Sequence, residues 1–214
     1  QAAGIRLGEI QVVDSVHTVA DVDNDADRRR QDQGKPPRDP QAQLVNKGKR
    51  SVKQPDGTVK IVERKYLGYK SHVSLNAETG LITSLVVTPG NAADNLQFPK
   101  LLAHDASLNV AAEIYSGDKA YDDTDLHYRL WEQGKHSALR LKRTRTGKQD
   151  QNKEVWIELE QTPEYEAGLK ERYKIERKFG EAKRWHGFGR CRYLGLPRYG
   201  VQAFLMMLAL NLKR

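Results

Sequence analysis

The feature that most constrains this fold is a pair of β-rich runs, GYKSHVSL (Gly68 to Leu75) and LITSLVVT (Leu81 to Thr88). Asn76-Ala77-Glu78-Thr79-Gly80 separates them. A short Gly-containing loop between two such runs predicts an antiparallel hairpin, and Pro89-Gly90-Asn91 ends its second strand. EIQVVD (Glu9 to Asp14) reads as a buried strand ending in a carboxylate. AAEIYS (Ala111 to Ser116) reads as a second such strand, running into Gly117-Asp118, and SALRL (Ser137 to Leu141) as a third. Asp94 is placed to cap a short helix through Leu96, Leu101 and Leu102. Asp123 or Thr124 is placed to cap another, with Leu126 and Leu130 on one side and Gly134 at its end. Two further helices are predicted, from Gly168 to His186 and from about Tyr199 to Leu212. A hairpin is antiparallel, whereas strands joined through helices cross over. Together they predict an α/β fold with a mixed sheet.

The 214 residues suit a single domain, 1–214, with a substantial core. Residues 22–64 are polar throughout and read as a long, loosely structured excursion or a linker, with Arg28-Arg29-Arg30, Pro36-Pro37 and Asp56-Gly57 inside it. The net charge of +8 points to a polyanionic partner, nucleic acid first. The single cysteine, Cys191, excludes a disulfide framework and a Cys-type zinc site, and fits a reducing compartment. QAAGIRLGEI has no signal-peptide character. The longest apolar run, AFLMMLAL (Ala203 to Leu210), falls far short of the about 20 residues that span a bilayer and reads as a core helix. A first residue other than Met is expected of a piece of a longer protein.

Three carboxylates stand out by position: Asp14 at the end of the first strand, Asp118 after a later one, and Glu176 on the long helix. Magnesium takes hard oxygen ligands, and a two-metal site draws carboxylates from separate elements. An Asp after a strand is also an ordinary turn or cap residue. At 100° per residue, Ile175, Phe179 and Ala182 form one apolar stripe, and Arg172, Glu176 and Lys183 share a face bordering it. Glu181 points the other way, beside Lys174, Arg177 and Lys178. Arg172 and Glu176 also read as a plain ion pair. His17, His72, His104, His127 and His136 lack metal-ligand spacing, and Asp122 and Asp123 read as cap and first-turn acids.

Four segments, in order, resemble the DDE transposases of bacterial insertion sequences, the type with a Y-R-E-K signature. IQVVDSVHTVA with Asp14 is similar to the first-Asp strand. KYLGYKSHVSL followed by GLITSLVVTPGNAAD is similar to the family's hairpin. YSGDKAYDD with Asp118 is similar to the second-Asp segment, and RYKIERKFGEAKRWHGFGRCRYLG to the segment with the final Glu. Arg172, Glu176 and Lys183 fit R-x3-E-x6-K. Leu169 stands where the signature tyrosine would fall, with Tyr165 and Tyr173 out of register. The family carries a DNA-end-recognition region before the first Asp, expected to be absent here.

The resemblance implies a ribonuclease-H-like mixed sheet with a basic insertion, 142–167, before the last catalytic helix. It implies a transposase, an enzyme of transposable elements that cleaves and transfers DNA strands with endonuclease and polynucleotidyl transferase chemistry. Asp14, Asp118 and Glu176 would be the catalytic residues and would hold two Mg2+ ions, with Mn2+ as substitute. Arg172, Lys183, Lys142, Arg143, Arg145 and Arg184 would contact DNA phosphates. Trp185 would stack on a base or else pack under the final helix. The partners implied are transposon ends and target DNA, with a homodimer as the active complex, no membrane, and a location with the bacterial nucleoid. An inactive DNA-binding remnant and a two-metal nuclease of the same fold are the alternatives.

Overall fold

The computed structural model describes residues 4–213, apart from the side chains at 46, 47 and 64. The strands are β1 (Ile10–Val19), β2 (Gln43–Lys53), β3 (Val59–Asn76), β4 (Ile82–Pro89), β5 (Ile114–Gly117) and β6 (His136–Leu139). The helices are α1 (Asn24–Asp32), α2 (Phe98–Ser107), α3 (Thr124–Glu132), α4 (Arg143–Thr146), α5 (Lys153–Glu160), α6 (Pro163–Glu171), α7 (Tyr173–Trp185) and α8 (Leu196–Leu212).

The sheet runs β2-β3-β1-β5-β6, with β4 also on β3. β3 pairs antiparallel with β1, β2 and β4, while β5 pairs parallel with β1 and β6. This is the expected mixed sheet, flanked by helices and compatible with a ribonuclease-H-like fold. The predicted hairpin is β3–β4, with Tyr69 opposite Pro89 and Leu75 opposite Ile82.

Alternation along the strands sorts the two faces. Val12, Val16 and Val73 pack with Ile175, Phe179 and Ala182 of α7 and with Tyr199, Ala203 and Met207 of α8. On the opposite face Val13 and Tyr115 pack with Phe98 and Leu101 of α2 and Leu126 and Leu130 of α3. Asp123 caps α3 by accepting from the Asp125 N–H.

The long helix is divided. α6 begins at Thr162-Pro163, where the Thr162 hydroxyl accepts from the Tyr165 N–H, and it meets α7 at Arg172. Gly168 sits inside α6 instead of starting it, because α6 lies close on the sheet. A Cβ there would stand 2.4 Å from the Ala138 Cβ and 3.1 Å from Ile114 Cγ2. An exposed helical Gly→Ala change gains about 1 kcal/mol. Here the clash wins, and Gly168→Ala is expected to destabilise by about 1–2 kcal/mol, read as a lower urea midpoint; an increase would contradict this packing.

The polar excursion 22–64 is not loose. It forms α1, all of β2 and the outer half of β3. The terminal helix is only half core: Tyr199, Ala203, Met207 and Leu210 are buried, while Phe204 and Leu205 are 61% and 57% exposed. No helix is long and apolar enough to cross a membrane among the described residues.

Candidate active site

β1 is ten residues long, so Asp14 stands in mid-strand and not at its end. β5 accompanies β1 only from Ile10↔Ile114 to Val13↔Gly117. The residue after the last pair on each strand carries a carboxylate, Asp14 still within β1 and Asp118 just past β5, and the charge of Asp118 acts on Asp14. Asp14 follows Val12 in alternation, on the sheet face that packs against α7. β1 gains a neighbour on that edge again only at Val19, which bridges to Arg190 after α7. The Ser15 N–H is therefore free of the ladder, and it donates to Asp14 Oδ1 at 2.7 Å. Asp118 accepts from the Ala120 N–H at 2.8 Å, which holds its loop.

Burial pushes the Asp14 carboxyl up to about 7. Asp118 and Asp94 add to this, and the Ser15 N–H and Arg172 oppose it. Burial likewise raises the Tyr121 hydroxyl, with Asp94, Asp14 and Asp118 all contributing. That hydroxyl has no hydrogen-bond partner among the described residues, nor does the buried Arg172 Nε. Burial lowers Lys183, with Tyr66 and Asp14 opposing.

Asp94, expected as a helix cap, makes no cap hydrogen bond. It accepts from Lys70 Nζ at 3.0 Å and lies 3.3 Å from His72 Nδ1. Its burial would raise it, but the His72 bond and Lys70 outweigh that and hold it at about 2. The sequence pattern gave no signal for Lys70 and His72, which lie on the sheet face opposite to Asp14: His72 pairs with Ser15, whereas Asp14 pairs with Val73.

Glu176 shares its face of α7 with Arg172 and Lys183, but its side chain is 62% exposed and lies 3.7 Å from Arg172. Among the described residues no three acidic, His or Cys side chains are gathered closely enough to hold a metal ion. An exposed i,i+4 pair contributes only about 0.5 kcal/mol, too little to hold Glu176 away from a divalent cation. The donors fit a hard ion in kind: carboxylate oxygens, and at Asp14 a charge that burial opposes more than the Ser15 N–H and Arg172 favour it, which a cation would offset.

Several expected DNA contacts lie elsewhere. Trp185 is nine residues from Glu176, about 180° around the helix. It is 70% exposed, and it lines a groove with Leu75, Ala77 and Arg177. It neither packs under α8 nor reaches the carboxylates. Arg184 lies over the Trp185 ring on that flank. Arg145 is drawn inward, 2.6 Å from Asp122 and over the Trp156 ring. Lys142 Nζ donates to the Asp122 carbonyl, while Arg143 stays exposed. Asp122 is no cap residue but a buried anchor. Lys178 is also buried, its Nζ donating to the Leu210 carbonyl at the end of α8. Glu181 pairs instead with Lys213.

The family model for the transposase DDE domain matches residues 14–212. The chain belongs to that family. No curated protein and no solved structure matches it. A DDE transposase domain is a DNA-transposing enzyme in general terms, its family is generally dependent on divalent metal, and DNA is the partner the family implies.

Proposed function

We propose that this DDE domain cuts DNA and joins it to a target by phosphoryl transfer, with Asp14, Asp118 and Glu176 as its metal-holding carboxylates. The Y-R-E-K subtype, Mg2+ as the ion, a homodimeric active complex and a location with the bacterial nucleoid belong to the same proposal. The observation that supports it is the register of β1 and β5: their parallel ladder ends at Val13 opposite Gly117, and the next residue of each segment is a carboxylate, Asp14 and Asp118. Bound divalent ions supply Lewis-acid activation of the attacking oxygen and stabilise the leaving one. Asp14 and Asp118 would hold them from the sheet, and Glu176 would reach in from the exposed edge of α7. Arg172 and Lys183, on the same helical row, orient the phosphate: Arg by its planar fork, Lys as a point charge. Arg143, exposed on α4, contacts backbone farther out.

A strand-transfer assay with Mg2+ or Mn2+ on Asp118→Ala and Glu176→Ala tests the proposal, paired with anomalous scattering from Mn2+ in crystals. Both variants are expected to lose cleavage and joining. Retained activity in either would remove that residue from the site. The outward position of Glu176 favours one rival, a DNA-binding remnant without turnover; it predicts neither product from the unaltered chain.

A further inference from the structure

β3 changes partners at Gly68. From Tyr69 onward it lies between β1 and β4; before Gly68 it pairs only with β2, and β1 ends opposite it at Val19. Three backbones crowd this junction. A Cβ on Gly68 would stand 2.2 Å from the Thr18 carbonyl oxygen. Beyond it, β2 and the outer half of β3 leave the sheet as a two-stranded ribbon that turns at Gln54–Thr58, where Gln54 and Thr58 are joined backbone to backbone. At about 3.3 Å per residue, the ribbon projects roughly 30 Å.

Nothing in the fold accounts for it. From 48 to 63 almost every described residue is exposed on both faces, Ile61 at 64% and Val59 at 57% included. A two-stranded ribbon with no buried face is marginal in water. Its charge makes matters worse. Residues 43–65 contain Lys47, Lys49, Arg50, Lys53, Lys60, Arg64 and Lys65 against Asp56 and Glu63, seven minus two, or +5 of the chain's +8. Such density repels itself, and it equally disfavours pairing with a second copy's ribbon. A polyanion offsets both costs. The ribbon's root lies on the same strand pair as Asp14: β1 and β3 run together from Val19 opposite Gly68 to Asp14 opposite Val73.

We propose that the β2–β3 ribbon is a DNA-gripping arm that binds the backbone of duplex DNA lying across the Asp14–Asp118 site. This rests on reading the chain as a DNA transposase domain. A two-stranded ribbon has the breadth to enter the major groove, and its lysines and arginines supply sequence-independent phosphate contacts.

The test replaces Lys49, Arg50, Lys53 and Lys60 together with Gln and measures binding of a fluorescent duplex of arbitrary sequence across a NaCl series. All four side chains are exposed, so a matched thermal melt is expected. The slope of log affinity against log salt should shrink by about 2–4, at about 0.9 per lost phosphate contact, with affinity at fixed salt at least about tenfold weaker. A second variant carrying Arg at Lys49, Lys53 and Lys60 should keep the parent's slope. If the parent binds and the Gln variant shows the same slope, the arm is wrong and the DNA reading stands. If the parent shows no salt-dependent binding, both fall. A Gln variant that changes self-association by sedimentation, with DNA binding intact, makes the ribbon a subunit contact and overturns the proposal.

Discussion

Asp14→Asn is expected to abolish strand cleavage and, without metal, to make the protein more stable above pH 7. The two effects share one cause. Asp14 sits in a notch where burial and two neighbouring carboxylates oppose its charge, raising it from 3.8 to about 7. The folded chain therefore keeps that proton to higher pH than the unfolded chain does. Stability from this group is complete below about 3.8, drains away as pH rises through the window to about 7, and is lost above it. The full shift corresponds to about 4 kcal/mol, and water at the partly open notch reduces this to about 2–4 kcal/mol. Asn reproduces the protonated form. Its variant should match the parent at pH 4 and exceed it at pH 8, with a flatter profile between.

Metal reverses the ranking. A divalent cation binds the folded carboxylates and raises the parent's midpoint by mass action; the Asn variant has lost a ligand and should gain little. Cleavage should fall by about a thousandfold or more, since the ion supplies several kcal/mol of charge stabilisation. Urea midpoints from pH 4 to 8, in chelator and in Mn2+, read both effects. A parent stability flat across that window would show that Asp14 carries no strained charge.

Much of this was legible in the sequence, for physical reasons. Strands and hairpin are local: alternation, β-branching and the Asn76–Gly80 loop specify them. The Arg172, Glu176 and Lys183 row is local too, because helical geometry fixes which residues share a face. Partnering was not legible. The β1–β5 register, which ends one residue before Asp14 and Asp118, joins segments a hundred residues apart. Residues 22–64 looked loose because a ribbon solvated on both faces shows no apolar alternation, which is the signal that announces a strand. Asp94 and Asp122 each precede a helical segment and carry the composition of a cap. Lys70 and His72, the partners of Asp94, and Arg145, a partner of Asp122, come from segments more than twenty residues away, and only the fold brings them in; His127, on α3 just after Asp122, is the local partner.

Asp122 bears the second large effect. Its carboxylate, fully buried, lies 2.6 Å from Arg145 Nε and 3.1 Å from His127 Nε2, and accepts from the Lys142 N–H at 2.7 Å. His127 Nδ1 meets the Ser137 hydroxyl at 2.7 Å, and both His127 and Arg145 pack on Trp156. The cluster joins the Asp118 loop, α3, β6 and the helices between β6 and α6. Asp122→Ala leaves the half-buried Arg145 without its counter-charge and His127 without its partner, a loss of about 2–4 kcal/mol. Proteolytic cutting between Lys142 and Gln161 should become faster before the rest of the chain opens, because Lys142 and Arg145 are tied to Asp122 here, beside the apolar contacts of Trp156 and Leu159. Removing both charges separates the pair from the packing. Asp122→Leu with Arg145→Met should recover most of the loss, since a buried pair replaced by apolar groups of like volume is often neutral. Should Asp122→Ala cost less than about 1 kcal/mol, Arg145 is not anchored here, and it becomes free to contact DNA as the sequence first suggested.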